Sequence, residues 1–82
     1  MENNLMAIQY LLFSDVFLKR VVLGRIPMYE IAETAGIDGP VLSRILNTPY
    51  YWKNRETWKK HVYSIGDAVG LKPEECLNNG VH

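Results

Sequence analysis

The 82-residue sequence holds a single cysteine, Cys76, so no intramolecular disulfide can staple it, and a secreted, cross-linked scaffold is excluded in favour of an intracellular chain. Long apolar runs are also lacking. The longest, LMAIQYLLF over residues 5–13, is too short to span a bilayer and follows MENN, which has no cationic start of a signal peptide. A cytoplasmic protein with no membrane partner is expected, with nothing cleaved or anchored. His61, His82 and Cys76 are scattered and no Cys or His pair occurs, so no metal site is expected. Ser43 and Ser64 carry no triad signature and no glycine-rich loop follows a strand pattern, so neither catalysis nor a cofactor is expected. Net charge is absent as well: nine Lys and Arg stand against nine Asp and Glu, and bulk electrostatics says nothing about a polyanionic partner.

What is present is helical periodicity. An apolar share of 48% supports one globular domain over residues 1–82, small enough that only about 60–65% of the unfolded surface can be buried. No alternating run reads as a strand, so the expected class is all-α. Asn3 or Asn4 caps an apolar helix that runs toward Leu23, with a break at Ser14-Asp15 where Ser14 is placed to cap a second helix, and Gly24 closes the element. Pro27 fits the first turn of the next helix, which extends to Ala35 and ends at Gly36. Asp38 caps a third helix whose Val41, Leu42, Ile45 and Leu46 face inward. A fourth helix starts either at Thr48-Pro49 or at Asn54, carries Trp58, Val62, Ile65 and Val69 inward, and stops at Gly70. LKPEECL gives a last short turn or helix, and residues 78–82 read as a frayed tail.

The charge is segregated. Residues 43–63 contain Arg44, Lys53, Arg55, Lys59 and Lys60 against Glu56 alone, a surplus of four, whereas residues 27–42 carry Glu30, Glu33 and Asp38.

In MYEIAETAGIDGPVLSRILN, residues 28–47, small or apolar residues stand where two crossing helices must touch: Ala32 for close approach, Gly36 for the turn, and Ile31, Ala35, Ile37, Leu42 and Ile45 for a shared core. IAETAGIDGPVLSRILN followed by RETWKKHVYSIGDAVGLKPEECL resembles the lambda-repressor-like, xenobiotic-response-element type of helix-turn-helix DNA-binding domain, over roughly residues 17–77. The resemblance implies a compact five- to six-helix fold with its helix-turn-helix at 27–47; outside the shared domain, residues 1–13 read from their own apolar pattern as an extra N-terminal helix. It implies that residues 38–46 form a recognition helix entering the major groove of double-stranded DNA. Gly39 and Pro40 then stand where the family places base-reading polar residues, and Met28 where it commonly has a phosphate-binding Gln. These departures shift direct readout to Arg44, suited to guanine, and to Val41 against a thymine methyl. Gly39, Pro40, Val41 and Arg44 are the expected base contacts. Ser43, Asn47, Lys53, Asn54 and Arg55 are the expected backbone contacts, the last three lying in PYYWKNRETWKK. Tyr51 and Trp52 are open between covering the core and joining that strip.

The apolar N-terminal segment asks for a partner on more than one face. Leu5, Ile8, Leu12 and Phe13 are its expected dimerisation residues, the alternative being that the segment completes its own core. The function implied is a homodimeric bacterial or phage transcriptional regulator, a repressor acting by occupying an operator. An antitoxin bound to a toxin, or a protein-binding module such as a phage antirepressor that engages a repressor, are the competing uses of the same pattern.

Overall fold

The computed structural model describes residues 12–47 and 53–78. The expected Leu5 and Ile8 positions, the Thr48-Pro49 helix start, and Tyr50, Tyr51 and Trp52 lie outside them. The architecture is helical, and among the described residues the only strand-like feature is one isolated antiparallel bridge, Phe13 with Leu77. Helix α1 comprises Asp15–Phe17 and runs directly into a π-helical turn, Leu18–Val22; α2 is Met28–Ala35, α3 is Gly39–Asn47 and α4 is Arg55–Ala68, followed by a single 3-10 turn, Pro73–Glu75. Four α-helices, rather than five or six, are therefore formed among the described residues. The LKPEECL segment forms a single 3-10 turn, opened by Pro73 and closed by the Cys76 N–H on the Pro73 carbonyl.

Local chemistry sets most of the boundaries. The Ser14 hydroxyl accepts the Phe17 N–H at 3.2 Å, and the Asn54 side-chain oxygen accepts the Thr57 N–H at 3.1 Å, each satisfying one of the donors a helix start leaves over. Pro27 caps α2 from outside, its carbonyl taking the Glu30 and Ile31 N–H groups, so α2 begins one residue later than its sequence suggests. The ends of α2 and α4 share one design. Gly36 and Gly70 take φ of 71° and 83°, Ile37 N–H reaches the Ala32 carbonyl and Leu71 N–H the Gly66 carbonyl, and the paired bonds of shorter sequence span run from Gly36 to Glu33 and Gly70 to Asp67. Both are Schellman closures, which need the left-handed residue that glycine supplies without steric cost. By contrast α1 ends through its π turn, with Leu23 N–H on the Leu18 carbonyl, rather than at Gly24.

The core gathers Phe13, Phe17, Val21, Ile31, Leu42, Ile45, Trp58, Val62, Ile65 and Cys76, all essentially without exposure. Phe13 stacks on Phe17 with ring centroids 4.8 Å apart and tilts against Trp58 at 5.8 Å. Leu12 and Phe13, expected at a dimer seam, are thus buried in their own chain. Their burial follows from a clasp between distant segments: Ser14 N–H donates to Cys76 O at 3.1 Å, Asn78 N–H donates to Leu12 O at 3.0 Å, and the Ser14 hydroxyl donates to Glu75 O. Asn78, expected in the frayed tail, is held by that clasp, and residues 79–82 lie outside the described residues. A second tie is the Arg20 guanidinium, which donates to Val69 O at 3.0 Å and so caps the C-terminus of α4 from the π turn.

Gly66, in the last turn of α4, has a packing reason: a Cβ there would overlap Cys76 Sγ. The buried thiol donates to Lys72 O, and burial, with the Glu75 and Glu74 charges adding, pushes its pKa up to about 11. Cys76 is a core residue held as the neutral thiol.

Candidate nucleic-acid interface

Helix α3 divides cleanly along its length. Leu42, Ile45 and Leu46 are buried at the i, i+3, i+4 spacing of one helix face, while Gly39, Pro40, Ser43, Arg44 and Asn47 are exposed and Val41 lies half-buried at the margin. The helix starts one residue later than expected and ends one later, with the Asp38 backbone carbonyl taking the Leu42 N–H at 2.9 Å. Only three residues, Gly36, Ile37 and Asp38, separate it from α2, and Ile37 packs against the core. The outward face of α3 is thereby carried on a short, internally bonded connection rather than on a loose loop.

A buried contact fixes α3 against α4. The Trp58 indole N–H donates to the Ile45 carbonyl at 3.2 Å. Ile45 lies in the last turn of α3, where carbonyls have no partner within the helix, so one side chain both fills the core and satisfies a buried acceptor. Sequence reasoning placed Trp58 in the core but missed this bond. The signal was there in part, since a buried indole must find an acceptor, yet nothing local names a carbonyl 13 residues away.

The expected contact residues fall into two groups. On α3, Arg44 projects from the exposed face, and the Asn47 amide donates to Ser43 Oγ at 3.1 Å, so these two polar side chains support one another one turn apart. Val41, half-buried, offers only part of its side chain outward. Around the start of α4, Lys53 is exposed, the Asn54 oxygen is engaged as the helix cap, and the Arg55 guanidinium lies 5.0 Å from the Trp58 ring centroid. Arg55 is thus oriented by a cation–π contact, at the N-terminus of the helix whose Trp58 holds α3. The cap is a structural duty that the sequence pattern alone did not separate from a contact role.

The C-terminal end of α4 differs in chemistry. An open cleft of about 380 Å³ there is lined by Thr34, Ala35, Tyr63, Ser64, Asp67 and Pro73, three hydroxyls and one carboxylate without an imidazole or thiol. Among the described residues no three His, Cys, Asp or Glu side chains gather as a metal site would require, and no helix is long and apolar enough to cross a membrane.

No protein-family model, curated protein or solved structure gives a significant match to this chain.

Proposed function

We propose that this chain is a duplex-DNA-binding transcriptional regulator built on a lambda-repressor-like helix-turn-helix, with α2 and α3 as the two motif helices and α3 as the reader. The observation that carries the reading is the division of α3: a buried Leu42, Ile45, Leu46 face behind an exposed Ser43, Arg44, Asn47 face, joined to α2 through the Gly36 turn. Support comes from the cations Lys53 and Arg55 at the start of α4, the helix bonded to α3 through Trp58. Phosphate contacts from that end would set register, and Arg44 would read a guanine edge. The regulator acts as a repressor in homodimeric form, two copies of α3 meeting half-sites about one helical turn apart.

A specific observation favours a second reading in which the same fold engages a protein. Gly39 and Pro40, exposed at the start of α3, offer bases no side-chain hydrogen bond.

Selection of bound sequences from a random duplex pool separates the two. Enrichment of a short motif supports the DNA reading, and no retained duplex at modest salt refutes it. On the selected site Arg44→Ala should cost about 1–3 kcal/mol and relax preference at one base step, whereas Lys53→Ala should weaken all duplexes alike.

A further inference from the structure

The described residues leave four large apolar side chains exposed, and all four fall in one short stretch between α1 and the first turn of α2: Leu23 at 70%, Ile26 at 39%, Met28 at 41% and Tyr29 at 75%. Single exposed apolar residues need no explanation, but four within seven residues of chain concentrate uncovered apolar surface in one place along the sequence. Two charges punctuate the stretch. Arg25 lies among its first residues and Glu30 follows Tyr29, and among the described residues neither side chain has a hydrogen-bond or ion-pair partner.

We propose that this surface binds a second copy of the chain across a two-fold axis, with Leu23 and Tyr29 in the centre and Arg25 of each copy facing Glu30 of the other. In a two-fold interface residue i meets j of the partner while j meets i, so a patch with a cation toward one end and an anion toward the other is its own electrostatic complement. A membrane surface or a nucleic acid selects for cations alone and leaves Glu30 opposed by like charge. The proposal deepens the homodimer part of the function above and relocates its seam from Leu12 and Phe13, which are buried, to side chains that are exposed. It requires no DNA.

Sedimentation equilibrium of the full chain without DNA, at tens of micromolar, tests it. The wild type should be dimeric. Leu23→Ser with Tyr29→Ser removes four apolar side chains from a two-fold seam and should raise the dissociation constant at least roughly a hundredfold, with the helical circular dichroism unchanged. Arg25→Glu should weaken the dimer, and Arg25→Glu with Glu30→Arg should restore it. A monomeric wild type, a dimer indifferent to the Leu23 and Tyr29 changes, or a double charge swap that fails to restore association each overturns the proposal. A chain that dimerises yet retains no duplex sinks the DNA reading alone, and a monomer that binds a selected duplex sinks the seam alone.

Discussion

Helix α3 and the stretch from Leu23 to Tyr29 treat their apolar residues in opposite ways. In α3 every large aliphatic faces inward or lies at the margin and the polar side chains face out; from the bend at Leu23 into the first turn of α2, Leu23 and Tyr29 face solvent and Arg25 is exposed as well. The difference is geometric. A regular helix puts residues three and four apart on one face, so α3 can segregate its chemistry by spacing alone. Leu23 to Ile26 form a bend with no repeating face, and what they present is set by where the π turn releases the chain. An ordered pattern therefore identifies the supported face of a helix, while an exposed apolar run in irregular backbone identifies a surface still to be covered.

The comparison breaks most severely at Trp58. Trp58→Ala removes a fully buried indole and leaves the Ile45 carbonyl unsatisfied, and a loss of about 3–5 kcal/mol in denaturant unfolding is expected, with α3 losing hydrogen-exchange protection before α4. An intermediate effect is expected at Gly66. The Ala side chain would overlap Cys76 Sγ, costing about 1–3 kcal/mol by overpacking despite alanine's better helix propensity, and Cys76→Ala in the same chain should recover most of the loss in a double-mutant cycle. High pH probes the same thiol. Because its folded pKa is raised to about 11 from 9.0, the stability it contributes is complete below pH 9 and is lost as pH climbs through 11, a slope that Cys76→Ala should flatten in pH-dependent melts. Smallest is Leu23→Ser, expected to change monomer stability by within about 0.5 kcal/mol, measured at a concentration where the chain is dissociated. A large loss there would place Leu23 inside the core and erase the contrast.

The all-α class, the α2–turn–α3 order and most helix ends were legible in the sequence because they depend on neighbours. Ser14, Asn54, Gly36 and Gly70 each act on backbone within a few residues, and all four do what their chemistry suggests. Leu12 and Phe13 were illegible for the opposite reason. Their apolar character demanded a partner, but the partner is Trp58 and the segment through Asn78, and spacing along residues 1–13 contains no trace of either. In the candidate site, α3 supplied its outward set by period and Asn54 its cap by residue type, whereas the Trp58 indole bond to the Ile45 carbonyl came only with tertiary structure.

The clasp that joins Leu12 and Ser14 to residues 75–78 also orders events during synthesis. Phe13 and Phe17 are made before Trp58 and Cys76, so their enclosure cannot be complete until residues 75–78 have been synthesised. Closing that pairing spans more than 60 residues, an entropic toll that local helix formation cannot offset in advance. The helices depend on near neighbours, whereas the clasp draws on both ends of the described residues at once.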